Sequence, residues 1–220
     1  MKKYIFVLLP VIILSVVGSF IYQSLKEKSG NKGVTSQAIQ IDERISAKNN
    51  CCNELAPGQY SDDSIYQLRT IWKNQFSKSI KLNCFLGKKV ILAMFYTRCP
   101  TACPIIVNEL QRLQAAIPQR YLDNYRFVLV SIDPKRDTPE ILKKYADERN
   151  LKPGIWSLIT GSKYQIAELA QIIGFKYKEN QSGMFTHSNL ITFINQKGEI
   201  QNQSEGLNQN VKMLLTMLYQ

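Results

Sequence analysis

Residues 90–96, Val-Ile-Leu-Ala-Met-Phe-Tyr, form an unbroken apolar run that breaks into Cys99-Pro100-Thr101-Ala102-Cys103-Pro104. A seven-residue run without polar alternation reads as a strand buried on both faces, the kind found at the centre of a parallel or mixed sheet. Such a strand needs neighbours on either side and helices above and below. The chain supplies them. A second apolar run, Arg126 to Ile132, reads as another buried strand, and Ile155 to Ile159 as a third.

Helical periodicity fills the gaps between these strands. Ile106, Leu110 and Leu113 repeat on one face after Pro104. Asp137-Thr138-Pro139-Glu140 offers a cap, a proline at the first helical position and an acidic first turn, so Pro139 to about Arg149 is predicted helical. Gln165 to Ile173, with Ile166, Leu169, Ala170 and Ile173 on one side, predicts a third helix stopped by Gly174. Ile65 to Trp72 and Ser79 to Leu82 read as a hairpin ahead of the first buried strand. Leu190 to Ile194 and Glu199 to Gln203 flank Gln196-Lys197-Gly198 as another, and Asn208 is predicted to cap a last helix. The order hairpin, βαβαβα, hairpin, helix implies an α/β fold in three layers, a mixed and mostly parallel central sheet with helices on both faces.

The 220 residues also divide along their length. Tyr4 to Tyr22 is uncharged and nearly continuously apolar between Lys2-Lys3 and Lys26-Glu27-Lys28, close to the roughly 20 residues that cross a bilayer. Residues 1–23 are therefore expected to be a transmembrane anchor; a signal cleaved near Gly18 or Ser19 is the competing reading. Residues 24–50, rich in Lys, Ser, Asn, Gln and Gly, read as a flexible tether, and residues 51–220 as one domain. The net charge is +11. Its surplus is spread in pairs such as Lys88-Lys89 and Lys143-Lys144 rather than gathered in a block, so no nucleic-acid partner is expected.

Five cysteines and one histidine define the chemistry. In open sheets the working groups gather at the carboxyl ends of parallel strands, where Cys99 and Cys103 fall. Pro104 belongs in the first turn of a helix, which places Cys103 near its N-cap. The unpaired amides there, with Arg98, should lower both thiol pKa values. Residues four apart in a helical turn lie about 6 Å apart along the axis, so the pair can grip a soft metal or close a disulfide. His187, in Met184-Phe185-Thr186-His187-Ser188 ahead of a strand, comes to the same sheet end. Two thiolates and an imidazole suit Cu(I), with zinc the competitor by ligand type. Asp133 and Asp137 follow the second strand and serve either as turn caps or to orient a ligand.

The segment from Phe95 to Pro104, the run Val130 to Pro139 and His187-Ser188 ahead of a strand resemble, in that order, the SCO/SenC family of copper-binding assembly factors for cytochrome c oxidase. The resemblance implies a thioredoxin-like fold on an inner-membrane tether, with the domain in the periplasm or an equivalent non-cytosolic compartment. It also implies copper held by Cys99, Cys103 and His187, and the copper-bearing oxidase subunit or another copper-transfer protein as partner. Cys51, Cys52 and Cys84 lie outside the family motif. A thiol-disulfide oxidoreductase acting on the acceptor's cysteines is the alternative. Thioredoxins, however, space their cysteines by two residues and carry a proline before the facing strand, whereas here the gap is three and no proline follows Gly154. A peroxiredoxin, suggested by Thr97 near Cys99, fits less well, because the usual proline and threonine spacing before the cysteine is missing.

Overall fold

The computed structural model describes residues 60–219. The expected anchor at 1–23, the tether at 24–50 and the pair Cys51-Cys52 lie outside the described residues. Among those described, no helix is long and apolar enough to cross a membrane.

A seven-stranded sheet forms the centre, built from β1 (Trp72–Asn74), β2 (Ser79–Ile80), β3 (Lys89–Phe95), β4 (Tyr125–Ser131), β5 (Trp156–Thr160), β8 (Leu190–Ile194) and β9 (Ile200–Glu205) in the order β2-β1-β5-β4-β3-β8-β9. β6 (Tyr177–Glu179) and β7 (Phe185–His187) pair only with each other, as a separate hairpin. β3 pairs with β4 in parallel, Lys89 opposite Tyr125 through Phe95 opposite Ser131, and with β8 antiparallel. Flanked on both edges, β3 buries every residue from Val90 to Phe95. That is why its sequence does not alternate.

The sheet is mixed, as expected, but not mostly parallel. Only β3–β4 and β4–β5 run in parallel, while β1–β2, β1–β5, β3–β8 and β8–β9 are antiparallel. Hairpins at both margins can only add antiparallel strands, and they supply four of the seven.

The helices are α1 (Ala102–Ala116), α2 (Pro139–Glu148), α3 (Lys163–Ile172) and α4 (Val211–Tyr219). α1 buries Ile106, Val107, Leu110 and Leu113 and packs against α4. Gln111 on α1 donates to the Arg149 carbonyl just beyond α2 at 2.8 Å. Neighbours on β9 show which helices share a face. Asn202 donates to the Met217 carbonyl in α4, and Gln203 to the Ile173 carbonyl beyond α3, both at 2.8 Å. Successive strand residues point to opposite faces, so α3 covers one face and α4 the other. Helices on both faces are as expected.

Two boundaries differ from expectation. Ile65–Gln67 is a 3-10 turn, with the Tyr66 amide donating to Ser64 Oγ. Ile65 and Tyr66 are both buried, which a turn allows and an alternating strand does not, so the hairpin begins only at Trp72. Asn208 does not cap α4. Its φ of 60° is left-handed rather than the extended geometry of a cap, and Asn210 Oδ1 accepts from the Lys212 amide instead, at 2.8 Å.

Candidate metal centre

Three chain segments bring the predicted ligands together. β3 delivers the loop 96–101, in which the Cys99 amide donates to the Tyr96 carbonyl at 3.2 Å. α1 begins at Ala102 after Thr101, so Cys103 is its second residue, two positions past the cap it was expected to be, and Pro104 sits in the first turn. Proline is tolerated there because that N–H has no helical partner. The Cys103 amide donates to Cys99 Sγ at 3.3 Å, so the helix N-terminus points at a sulfur. His187 ends β7, opposite Tyr177.

His187 Nε2 lies 3.7 Å from Cys99 Sγ and 3.7 Å from Cys103 Sγ, and the three donor atoms fall within 4.8 Å of one another. Cys99 and Cys103 are buried as free thiols. His187 Nδ1 lies 2.8 Å from the Ser188 carbonyl. A carbonyl only accepts, so Nδ1 carries a hydrogen and Nε2 is the ring nitrogen turned to the sulfurs. The ring is walled by Phe175, stacked at 6.0 Å, and by Tyr96, edge-on at 5.8 Å.

The two thiols do not share one fate. Cys99 is lowered to about 4, chiefly by the hydrogen bond from the Cys103 thiol and then by the Cys103 amide, His187 and the Thr101 amide. Cys103 is pushed up, because its thiol donates to the Cys99 sulfur and because it is buried. The expectation that both would be lowered is corrected: a closed pocket favours one negative charge, on the sulfur that receives the helix amide, and keeps the other proton. Arg98, expected to contribute, is exposed, and the hydrogen bonds do the lowering.

Asp133 and Asp137 are buried, and neither joins the donor cluster. Asp137 accepts from the Thr97 amide at 3.0 Å, from Thr97 Oγ1 at 2.5 Å and from Ser131 Oγ at 2.5 Å, fixing the loop two residues ahead of Cys99. Asp133 receives Arg136 Nη1 at 3.0 Å. Its carboxyl is raised by burial, against the pull of that guanidinium. Arg136 also donates to the Gly183 carbonyl at 2.6 Å and pairs with Glu179 at 3.1 Å, reaching the hairpin that carries His187.

Sequence reasoning missed both the hairpin and Arg136. The hairpin's signal was Asn180-Gln181-Ser182-Gly183 between Tyr177-Lys178-Glu179 and Phe185-Thr186-His187. Asn180 Oδ1 accepts from the Ser182 and Met184 amides at 3.0 and 2.9 Å, an Asx turn. Cys84, expected to stand outside the motif, is half-buried beyond the donor cluster.

A SCO2-like protein of Rickettsia typhi is 30% identical over 125 residues, 53% of this chain and 59% of that protein. The chain thus spans less than two thirds of that relative. A SCO1/SenC family lipoprotein from Bacillus anthracis superposes with a TM-score of 0.64 at 23% identity, over 74% of this chain and 98% of that one. Arabidopsis thaliana ScoI, solved with copper bound, gives 0.60 at 22% identity, over 67% of this chain and 91% of that one. At these identities the two structures establish a shared fold, the one expected from sequence. The SCO1/SenC family model matches residues 71–217, and the chain belongs to that family.

Proposed function

We propose that the protein is a membrane-tethered copper chaperone that holds Cu(I) on Cys99, Cys103 and His187 and passes it to the copper site of cytochrome c oxidase. The observation that carries the reading is the convergence of two sulfurs and an imidazole nitrogen within 4.8 Å, with no carboxylate in the cluster. Soft donors in low number suit Cu(I), while Mg and Ca want oxygen and zinc wants a fourth ligand. The copper-bound Arabidopsis ScoI adds support by shared fold. Three ligands leave room for an incoming thiolate, so the metal leaves by ligand exchange. In this reading residues 1–23 anchor the chain, 24–50 tether it and 51–220 form the domain, in the periplasm or an equivalent compartment where the acceptor is reached.

Titration of the reduced full-length protein with Cu(I), in competition with a chelator, is expected to give one bound equivalent. His187→Ala should weaken binding sharply while Cys99 and Cys103 can still form a disulfide, and Cys99→Ser or Cys103→Ser should remove most of it. An unchanged affinity in His187→Ala defeats the proposal.

One observation favours a second reading. A thiolate at Cys99 beside a protonated Cys103 is the arrangement of a dithiol that attacks a disulfide through one sulfur and resolves it through the other. The acceptor disulfide would gain two electrons as Cys99 and Cys103 bond to each other, one proton coming from the Cys103 thiol and the other from water. Metal-free protein that turns over a disulfide substrate would support it, and absence of turnover would remove it.

A further inference from the structure

We infer that Arg136 is a positioning residue that sets the reach of His187 to the two sulfurs, an inference that rests on the copper reading above. The hairpin β6–β7 shares no ladder with the central sheet, and an isolated two-stranded hairpin is marginal in water. Its place is therefore decided by what ties it down. At its base the Ser188 amide donates to the Lys176 carbonyl at 2.8 Å. At mid-length Tyr96 rests edge-on against Phe185, ring centres 5.2 Å apart. At its tip Arg136 holds the first arm through Glu179 and the turn through the Gly183 carbonyl.

The far end of that grip is rigid. Arg136 Nη1 also meets Asp133, which is 1% exposed and whose amide donates to Ser131 Oγ at 3.0 Å. Asp137, the next residue, holds Thr97 and with it the approach to Cys99. Adjacent residues of one loop thus fix the two halves of the site, Asp137 the sulfur side and Arg136 the imidazole side. A cavity of about 130 Å³ lies behind the hairpin, bounded by Asp133, Lys135, Tyr177, Glu179 and Phe185. Tyr96, whose hydroxyl lies 3.4 Å from both the Phe185 amide and carbonyl, holds the middle of the hairpin, and beside that space the guanidinium ties its tip. Gly183 belongs to the same device: its φ is 76°, and a Cβ on it would stand 2.6 Å from Arg136 Nη2. A lysine could not span three acceptors as the guanidinium does.

The test is a double-mutant cycle on Cu(I) affinity of the full-length protein. Arg136→Gln is expected to lose roughly tenfold, the low end for residues that orient a metal ligand, and to lose nothing further in a His187→Ala background. Equal losses in both backgrounds, or an unchanged affinity in the folded variant, overturn the inference. Arg136→Gln leaves Asp133 buried and unpaired and so endangers folding. Glu179→Ala keeps that pair and cuts one arm of the grip. It should lose about threefold, a fraction of the full effect, with the same dependence on His187, and no loss overturns the inference. Amide hydrogen exchange across residues 177–187 of metal-free protein is a readout independent of copper. Faster exchange in either variant supports the inference, unchanged exchange overturns it, and failure of the wild type to bind Cu(I) removes only the copper reading.

Discussion

Cys99 and Cys103 are the same chemical group four residues apart, yet only one carries charge. The difference is one of surroundings: the Cys103 thiol lowers Cys99, which also takes the Cys103 amide, while the same pairing and deeper burial push Cys103 up. The reactive species towards alkylating reagents is the thiolate. A pKa below the ordinary value means that Cys99 stays ionised as pH falls, until about 4. Alkylation of Cys99 in reduced, metal-free protein, followed by mass spectrometry, should therefore hold its rate from about pH 8 to about pH 5, where an ordinary thiol loses about tenfold per unit. Cys103→Ala removes the thiol hydrogen bond that dominates the shift and should move the fall-off to higher pH. A wild-type rate that drops tenfold per unit across that range would show an ordinary thiol. That asymmetry was not legible in the sequence, because both thiols fall at one helix terminus and only the fold decides which hydrogen points where.

At the scale of elements, what was legible followed periodicity and caps. The expectation for β3 was right to within a residue, because an apolar run in the middle of a sheet has no alternative environment. α2 begins at Pro139 behind Thr138, as the local signals required. The misses are elements whose position depends on distant contacts: the three-residue strands β6 and β7 carry too little pattern to be read, and α4 takes Asn210 rather than Asn208. α3 offers a clean test of local stability. Ser162 Oγ accepts from the Gln165 amide at 3.3 Å while Gln165 Oε1 accepts from the Ser162 amide at 2.7 Å, a reciprocal capping box. Ser162→Ala should cost about 1 kcal/mol in urea unfolding. Cu(I) affinity should stay as in wild type, since the cap lies at the far end of α3 from Phe175, which stacks on His187. A parallel loss of affinity would show that the helix start is coupled to the site.

For the whole molecule, the donors come from the β3–α1 loop, α1 and β7, and they meet only in the native state. A metal that binds the folded form alone stabilises it by mass action, about 2.7 kcal/mol at one hundred times Kd. In a chain of this size that is on the order of 5–10 °C in Tm. Calorimetry of Cu(I)-loaded protein should show the rise, a chelator should reverse it, and His187→Ala should shrink it; a Tm indifferent to copper would mean that the cluster does not hold it. The sequence by itself determined the buried strands, the helices between them, and the arrival of two thiols and one imidazole at the same sheet end, because periodicity and strand direction are local properties of the chain. Only the tertiary structure decided that the three donor atoms fall within 4.8 Å, that Cys99 bears the charge, and that Arg136 ties the histidine hairpin to the sheet. The first and third depend on contacts between residues tens of positions apart, and the second on how two neighbouring thiols are turned and buried, all of which packing sets and no one segment encodes.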